Sequence, residues 1–320
     1  MTLTPVIIDC DTGIDDAFAL MFAVRHPEID LRAVTCVAGN AAVDRVVANT
    51  RYVLDAAGAA EIPVGRGAAS PLLVAADAGQ FHGTDGLGGF SRPSDRRSSP
   101  YSALELLRHE LSNAVANGEP ITLVATAPMT NIALLLRAHP EVAAGIERLV
   151  FMGGSASAGN VTAVAEFNVF HDPEAAAIAL AAARDLDIPV TMYGLDVFEQ
   201  VLVDREDAAR LHARLDPACQ LAGALIASQC NKLRVDAITI GDAGTICAVV
   251  DPKGLTTGRF GVRVETGHGY TRGQTVVDRR RRPGESEIHE GEREVTLVDV
   301  GLGVDVERYV KLWLTAVEGA

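Results

Sequence analysis

The sequence is poor in aromatic residues and cysteine, and it lacks long uninterrupted apolar runs. Aromatic residues make up only 5% of its 320 residues, with a single tryptophan, Trp313. The five cysteines are odd in number and form no C-x-x-C pair, which argues against a disulfide framework and against a thiolate zinc site. Since no run of 18 apolar residues occurs and no basic segment precedes the N-terminal apolar residues, we expect neither a membrane span nor a signal peptide. These absences together predict a reduced, soluble, cytoplasmic protein.

Positive charge is also scarce, because 28 Lys and Arg residues stand against 42 Asp and Glu residues, a formal net charge of −14. This balance argues against an extended nucleic-acid surface and against binding to anionic membranes. It is compatible with a small ligand in a local pocket. The chain contains 48% hydrophobic residues and neither an internal repeat nor a low-complexity linker, so we expect residues 1–320 to form a single domain.

Short β-branched runs alternate with alanine-rich amphipathic runs in the first two thirds of the chain. "PVIID" (5–9) predicts a buried strand, and "DDAFALMFAVRHP" (15–27) predicts a helix ended by its proline. Repeated along the chain, this alternation predicts an α/β fold with a mostly parallel, doubly wound, Rossmann-like sheet and helices on both faces. In the decorated C-terminal third, helical stretches near 205–230 precede a more β-like tail, where "GRFGVRVET" (258–266) and "RGQTVVDRRRR" (272–282) suggest a hairpin.

Four aspartates crowd into eight positions at the end of the first predicted strand: Asp9, Asp11, Asp15 and Asp16. Carboxylates this close repel one another and raise one another's pKa, unless a cation or a catalytic task holds them together. Ligands of open parallel sheets gather at the carboxyl ends of the strands, which is where this cluster lies. Several oxygen ligands without His or Cys indicate Ca²⁺ or Mg²⁺ rather than zinc.

Helix capping is the simpler interpretation of part of this cluster, because Asp15 and Asp16 would suit the first turn of a helix. It does not account for Asp9 and Asp11 at the tip of the strand. Two phosphate chemistries fail on spacing. Gly13 stands where the D-x-D-x-T motif of haloacid-type phosphatases has its threonine, and the glycine-rich stretches contain neither G-x-x-x-x-G-K-[ST] nor a G-x-G-x-x-G that opens a helix.

The segment "DCDTGIDDAFAL" (9–20) resembles the N-terminal signature of the nucleoside hydrolases, the inosine–uridine-preferring family, whose pattern is D-x-D-x-x-x-D-D. The similarity continues in the expected order along almost the whole chain, through "VAGN" (37–40), "HGTDGLG" (82–88), "ATAPMTNIA" (125–133), "GNVTAVAEFN" (159–168), "GDAGTICAVVDP" (241–252) and "RGQTVVD" (272–278). The resemblance implies a Ca²⁺-dependent N-ribohydrolase that splits a ribonucleoside into ribose and free base. It also implies a homodimer or homotetramer.

Carried over by motif, the resemblance implies a Ca²⁺ ion that binds the ribose 2′- and 3′-hydroxyls and the attacking water. The carboxylates of Asp11, Asp16 and Asp242 and the backbone carbonyl of Thr126 would be its protein ligands. Asp11 would also be the catalytic base that takes a proton from the water. The remaining substrate-binding residues implied for the ribose are Asp15, Asn40, Asn160, Glu166 and Asn168.

Glu166 would in addition stabilise the oxocarbenium-like ribosyl cation by placing negative charge near it. Because Glu166 and Asn168 are two positions apart, both side chains would face the same way on an extended segment. A plainer interpretation makes Asn160 and Asn168 turn-forming loop residues. His82 is either a substrate contact or an ordinary loop histidine. In "HDPEAA", Asp172 as a helix N-cap followed by proline explains the pattern better than a metal ligand does.

One departure from the family pattern concerns the leaving base. Many members carry a histidine directly before the last metal ligand, where this chain has Gly241, and that histidine is the usual candidate for the general acid. A positioned acid contributes about 10²–10⁴-fold to the rate, so without it the enzyme should favour better leaving groups. Stacking of the base between tryptophans, as in a purine-specific branch, is disfavoured by the single Trp313. Replacement donors in the sequence are Lys232, Arg234 and Tyr270.

Two functions therefore compete. The first is Ca²⁺-dependent hydrolysis of the N-glycosidic bond of a ribonucleoside, or of an N-riboside such as nicotinamide riboside, whose cationic base leaves without protonation. The second is a catalytically weak or inactive relative that binds ribose or a nucleoside for sensing or regulation. Retention of Asp11 favours hydrolysis, because binding alone requires no proton acceptor, whereas Gly241 favours the binding protein.

Overall fold

The computed structural model of the chain describes residues 3–75, 81–94, 99–280 and 295–319. Its strands are β1 (Thr4–Cys10), β2 (Ile29–Cys36), β3 (Val64–Arg66), β4 (Ile121–Ala125), β5 (Ile146–Met152), β6 (Val190–Tyr193), β7 (Leu202–Asp204), β8 (Ala237–Thr239), β9 (Leu255–Val264), β10 (Thr275–Asp278) and β11 (Thr296–Val304). Its α-helices are α1 (Ile14–Arg25), α2 (Val43–Ala57), α3 (Ala103–Asn117), α4 (Thr130–Ala138), α5 (Phe167–His171), α6 (Pro173–Asp185), α7 (Leu195–Phe198), α8 (Arg205–His212), α9 (Pro217–Leu233), α10 (Ala243–Val250) and α11 (Val306–Glu318). Short 3-10 helices cover Pro140–Gly145 and Pro252–Gly254.

Nine of the described strands form one sheet in the order β10-β9-β11-β6-β5-β4-β1-β2-β3, and β7 and β8 form a separate antiparallel pair. From β3 across to β11 neighbouring strands are parallel, whereas β9 pairs antiparallel with β10 and β11. The chain runs outward from β1 to β3 and then crosses to β4 on the other side of β1. This reversal of strand order creates a switch point, where the loops at the carboxyl ends of β1 and β4 leave a crevice for a ligand. The predicted doubly wound sheet is confirmed.

The apolar run of β1 fills two cores, one on each face of the sheet. Val6 and Ile8 belong to the core packed by α1, α2 and α11, whereas Ile7 belongs to the core packed by α3, α4 and α6. Successive side chains of a strand point to opposite faces, so a strand covered on both sides reads as a continuous apolar run. The helices on both faces therefore explain why "PVIID" shows no polar alternation before its aspartate.

The C-terminal third was predicted only in part. β9 and β10 form the expected antiparallel hairpin, with Thr275 opposite Val264, although residues 281–282 at its predicted end lie outside the described residues. α8 and α9 occupy the predicted helical region. The tail does not end in β structure, because α11 follows β11 and packs Trp313 edge-on against Phe18, with ring centroids 5.4 Å apart. Among the described helices, none is both long and apolar enough to cross a bilayer.

Candidate active site

Segments that follow β1, β4 and β8 converge at the switch point. Asp15 and Asp16 lie in the first turn of α1, and Asp242 is the residue before α10, where its side chain makes no capping hydrogen bond. Within the described parts of the chain, the carboxylates of these three residues have oxygens within 4.8 Å of one another. The fold thus brings two aspartates of "DCDTGIDDAFAL" close to the aspartate of "GDAGTICAVVDP".

Asp16 combines helix capping with membership of this acidic cluster. Its Oδ2 accepts a hydrogen bond from the backbone N–H of Gly13 at 2.8 Å, which satisfies a free donor of the first turn of α1. Its Oδ1 accepts from the hydroxyl of Thr126, also at 2.8 Å, and so joins α1 to the end of β4. The capping interpretation is therefore correct for one oxygen of Asp16. It does not explain Asp242, which comes from a distant part of the chain.

Asp11 is held by the turn that follows β2. Its Oδ2 accepts from the backbone N–H of Asn40 at 2.7 Å, and its Oδ1 accepts from the Asn40 side-chain amide at 3.1 Å. A Cβ on Gly39 would lie 1.9 Å from Oδ2 of Asp11, so this approach requires glycine. The Asn40 amide also lies 3.5 Å from Oδ2 of Asp16. Asp11 therefore stands beside the three clustered carboxylates rather than among them, and Asn40 connects it to Asp16.

Asp9 lies beneath the site and ties three elements together. Its Oδ1 accepts from the hydroxyl of Thr35 at 2.6 Å and from the side-chain amide of Asn131 at 2.8 Å. Complete burial raises the pKa of Asp9 to about 7, against the lowering effect of these two hydrogen bonds. Sequence reasoning assigned no role to Asn131, although the "TNIA" segment that contains it belongs to the resemblance. Asn131 also donates to the carbonyl of Cys36 at 3.1 Å and so joins α4 to β1 and β2.

Burial and mutual repulsion raise the pKa values of the carboxylates around the switch point. Desolvation raises the pKa of both Asp15 and Asp16 to about 6. Desolvation, followed by repulsion from neighbouring carboxylates, raises the pKa of Asp11 and of Asp242 well above the usual range. A cation among these groups would favour their ionised forms. Because the donors are all oxygen atoms, with no imidazole or thiolate among them, the set fits Ca²⁺ or Mg²⁺ and does not fit zinc.

Glu166 faces this cluster from the loop after β5, and it is a helix cap. Its carboxylate accepts from the backbone N–H groups of Gly154 and Asn168 at 2.8 Å each and of Val169 at 3.1 Å. Glu166 is thus the N-cap of α5, and Asn168 lies in the first helical turn. The prediction of an extended segment is therefore wrong, because the Glu166 carboxylate caps a helical turn, although both side chains still line the same cavity. Burial raises the pKa of Glu166 to about 7.

Asn160 and Asn168 both bind to backbone groups of the protein and line the cavity above the acidic cluster. The Asn168 side-chain amide donates to the carbonyls of Thr126 at 3.1 Å and of Met152 at 3.2 Å. Oδ1 of Asn160 accepts from the backbone N–H of Phe167 at 3.0 Å. Asn160 and Asn168 line that cavity together with Thr126 and Phe167. A structural role and a position at the site are therefore not alternatives for these two residues.

His82 lies on the border between two adjoining cavities and is buried. Its Nδ1 accepts a hydrogen bond from the backbone N–H of Ile14 at 3.1 Å, so the proton of the neutral ring belongs on Nε2. Burial lowers the pKa of His82 to about 4. Nδ1 also lies 3.8 Å from Oδ1 of Asp15. His82 is therefore not an ordinary solvated loop histidine.

The two cavities share a wall and differ in chemistry. The first, of about 390 Å³, contains Thr126, Asp242 and the predicted ribose ligands. The second, of about 240 Å³, is lined largely by apolar side chains, including Leu202, Leu233 and Val235. The shared wall consists of Asp15, Phe81, His82, Glu199 and Thr239. A larger groove of about 770 Å³ between α2 and α9 contains none of the clustered carboxylates.

Of the three replacement donors suggested by the sequence, one reaches this region. The ammonium group of Lys232 donates to the backbone carbonyl of Phe81 and lies 5.5 Å from the centre of its ring. Arg234 is the C-cap of α9 and is exposed, and Tyr270 is fully exposed. Neither lines either cavity. Lys232 contacts the loop that carries His82, and no contact of Arg234 or Tyr270 with the site is present among the described residues.

Asp172 is the helix cap that the sequence predicts. Its Oδ1 accepts from the backbone N–H of Ala175 at 3.0 Å, and its Oδ2 accepts from the hydroxyl of Thr130 at 2.7 Å. It belongs to no metal-ligand cluster among the described residues. Asp172 therefore stabilises the start of α6.

Comparison with known proteins agrees with this geometry. The sequence profile described as inosine-uridine preferring nucleoside hydrolase matches residues 6–311. The chain is 40% identical over 284 residues to a pyrimidine-specific ribonucleoside hydrolase, RihA, of Photobacterium profundum, which covers 86% of this chain and 89% of that protein. Among solved structures it is similar to an inosine-guanosine nucleoside hydrolase, with TM-score 0.88 and 29% identity over 98% of this chain and 99% of the other. A purine-preferring ribonucleoside hydrolase from Gardnerella vaginalis gives TM-score 0.84 and 28% identity over 99% and 98%.

Proposed function

The chain belongs to the inosine-uridine preferring nucleoside hydrolase family, and on this premise we propose that it is a Ca²⁺-dependent hydrolase of pyrimidine ribonucleosides. The proposal of a metal site rests on the cluster of Asp15, Asp16 and Asp242, whose oxygens lie within 4.8 Å of one another at the switch point. The proposed ligands of the ion are Asp16 and Asp242 of this cluster, Asp11 beside it and the carbonyl of Thr126. The third carboxylate of the cluster, that of Asp15, is proposed to bind the ribose. Bound there, Ca²⁺ would fix the ribose diol and lower the pKa of a water molecule.

Asp11 is the proposed general base. Its two oxygens are oriented by hydrogen bonds from Asn40, and these bonds favour the ionised carboxylate that can accept a proton from water. Glu166 lines the same cavity as Asp242. There its carboxylate would place negative charge near the ribosyl cation as the C–N bond breaks. Asp15, Asn40, Asn160 and Asn168 would hold the ribose hydroxyls, and His82 would contact the substrate.

The proposed base preference has two supports. Relatives at 39–40% identity bear the name of pyrimidine-specific ribonucleoside hydrolase. The second support is Gly241, because a base that must depart without an acid at this position has to stabilise its own negative charge. Uracil delocalises that charge over its ring and its two carbonyl groups. Uridine therefore agrees with both the relatives and the local chemistry, whereas the preference for pyrimidines over purines rests on the relatives, because purine bases also delocalise the charge.

A second candidate function, ribose or nucleoside binding without turnover, is favoured by the same glycine. A site that binds without hydrolysis needs the metal and the ribose contacts but no proton donor for the base. The names of the relatives at 39–40% identity favour the hydrolase, whereas Asp11 would serve either candidate, because it is also a proposed ligand of the ion. The two candidates differ in a single measurable quantity, which is the release of free ribose.

Ribose release, measured as reducing sugar, tests the proposal with uridine, cytidine, inosine, adenosine, guanosine and nicotinamide riboside. Each assay is run with Ca²⁺ and with EDTA. Asp11→Asn is the catalytic variant, and Glu307→Gln, at an exposed position of α11, is the matched control. We expect Ca²⁺-dependent release that is greatest for uridine and cytidine, lost in Asp11→Asn and unchanged in Glu307→Gln.

Other outcomes have definite meanings. Binding of ribose without its release from any nucleoside would establish the second candidate function, binding without turnover. Release that EDTA does not affect would contradict the proposed dependence on Ca²⁺. Faster release from purine nucleosides or nicotinamide riboside would contradict the base preference only. The homodimer or homotetramer implied by the resemblance stays a prediction, which light scattering checks on the same preparation.

A further inference from the structure

The ring of Phe198 lies against Gly241, where a side chain would otherwise project. A Cβ on Gly241 would approach Cζ and Cε2 of Phe198 to 3.0 and 3.1 Å, and Cβ of Asp15 to 2.5 Å. The backbone of Gly241 has φ +55°, a region that residues with a side chain rarely adopt. Space and backbone conformation both confine this position to glycine, and Phe198 fills the volume beside it.

A chain of hydrogen bonds fixes Phe198 relative to Gly241. The backbone N–H of Gly241 donates to Oγ1 of Thr239 at 2.9 Å, and the Thr239 hydroxyl donates to the carbonyl of Phe198 at 2.6 Å. Next to it, the N–H of Ile240 donates to the carbonyl of Val201 at 2.9 Å, beside the pairing of β7 with β8. The proton of the Thr239 hydroxyl is therefore given to Phe198 and is not available to a ligand. The backbone of Phe198 and the glycine are therefore held together.

Phe198 is half-buried and lines the cavity of the acidic cluster. Thr126 and Asp242 line the same cavity, and Glu199 and Thr239 connect it to the more apolar cavity. A ribose on the acidic cluster that directs its base away from the carboxylates along this wall would bring the base to the Phe198 ring. The ring offers the base an aromatic surface and no proton.

We propose that Phe198 is a specificity-determining residue that contacts the planar base, at the place where a side chain at position 241 would otherwise act on it. This inference rests on the proposed function, because it places the ribose of the substrate on the acidic cluster. Aromatic contact strengthens binding of the whole nucleoside and has no effect on a ligand without a base. Affinity for the base therefore comes from Phe198, and affinity for the sugar comes from the polar residues of the cavity.

The test measures binding of pseudouridine and of ribose by titration calorimetry in the presence of Ca²⁺. Pseudouridine carries uracil on a C–C bond that an N-glycosidase cannot hydrolyse, and ribose reports the sugar contacts alone. Wild type is compared with Phe198→Leu, which keeps most of the volume without the ring, and with Phe198→Ala. We expect both variants to bind pseudouridine about tenfold more weakly, as for the loss of one base–aromatic contact, and to bind ribose as wild type does.

Three results would overturn the assignment. The first is an equal loss of affinity for ribose and for pseudouridine in the variants, which would indicate a structural role. The second is an unchanged affinity for pseudouridine in both variants. The third is a wild-type protein that binds pseudouridine no more tightly than it binds ribose. Failure of the proposed function is distinguishable from these. A wild type that binds pseudouridine but releases no ribose from uridine contradicts the hydrolase, while the ratio of the two affinities still decides the role of Phe198.

Discussion

Asn40 holds Asp11 by two hydrogen bonds, from its backbone N–H at 2.7 Å and from its side-chain amide at 3.1 Å. The backbone bond lowers the pKa of Asp11, whereas burial and repulsion from Asp16 raise it. Asn40 thus partly offsets the two effects that would keep the carboxyl group protonated. The proposed base depends on a neighbour that the loop after β2 supplies.

Replacing Asn40 with alanine should lower kcat/KM for uridine by about 10- to 100-fold, the range for a hydrogen bond to a charged group worth about 1.5–3 kcal/mol. The backbone bond to Asp11 survives this change and the side-chain bond does not. Steady-state kinetics provide the measurement. Asn117→Ala, exposed at the end of α3, should have no effect. An Asn40→Ala enzyme as active as wild type would contradict the assigned role.

Asp242→Asn should stabilise the metal-free protein and weaken its binding of Ca²⁺. The amide keeps the shape of the side chain and removes one of three crowded negative charges. We expect the free energy of unfolding in EDTA to rise by about 1 kcal/mol, the scale of one pKa unit. The affinity for Ca²⁺ should fall by more than about tenfold.

Urea unfolding in EDTA and calorimetric Ca²⁺ titration measure these two effects of Asp242→Asn. Glu307→Gln removes an exposed carboxylate and should change neither quantity. A variant that is less stable in EDTA yet binds Ca²⁺ normally would show that Asp242 serves the fold rather than the ion.

Without Ca²⁺, the protein should lose stability as the pH rises from about 4 to about 7. The pKa values of Asp15 and Asp16 are raised to about 6, and those of Asp9 and Glu166 to about 7. In this interval the native state binds more protons than the unfolded chain. Stability from each group is complete below its unfolded pKa and is lost through its folded pKa, by about 1.4 kcal/mol per pH unit.

Burial also lowers the pKa of three histidines, that of His82 to about 4 and those of His26 and His171 below the ordinary value, and these act in the opposite direction. The carboxylates with a raised pKa outnumber them, because Asp11 and Asp242 add to the four above. Melting temperatures in EDTA, measured at about pH 5 and about pH 8, should therefore be higher at the acidic pH. Saturating Ca²⁺ should reduce the difference, because a cation favours the ionised carboxylates. A metal-free protein that melts at a higher temperature at the alkaline pH would contradict the raised pKa values of the buried carboxylates.

Gly241→Ala should lower the free energy of unfolding by about 2–4 kcal/mol, since a left-handed backbone and a close contact both oppose a side chain. Gly118→Ala is the matched control, because Gly118 has φ +66° and a Cβ there would meet nothing within 4 Å. It carries the backbone cost alone, which is about 1 kcal/mol. Urea unfolding compares the two variants. Equal losses of unfolding free energy in the two variants would show that Asp15 and Phe198 move away from the added methyl group without a measurable cost.

The centre of the fold and much of the site were predictable because their signals are local. The apolar run of β1 ends in aspartates that open α1, so strand, turn and helix are legible within one short segment. Helix α11 was missed, although Tyr309, Trp313 and Val317 recur every four residues, as the buried face of a helix requires.

The rest of the site depends on contacts between distant segments, which no local pattern reports. The bond from Asn131 to Asp9 requires the pairing of β1 with β4. The packing of Phe198 on Gly241 requires a positive φ and the pairing of β7 with β8. The sequence predicts an extended segment after Glu166, because the capping of α5 by this side chain has no signature in "EFN".

The convergence of Asp16 and Asp242 at one switch point also has a consequence for synthesis of the chain. Asp16 leaves the ribosome early, whereas Asp242 follows most of the fold. Until α10 forms, a nascent chain therefore contains Asp16 of the proposed ion site without Asp242, and the negative charge of Asp16 is not neutralised by an ion. Because a ligand stabilises only the state that binds it, calcium would act on states that already contain α10 and on no earlier intermediate. Uptake of the ion would mark the packing of α10 onto the first half of the fold, and a fragment that ends before Asp242 should not bind the ion.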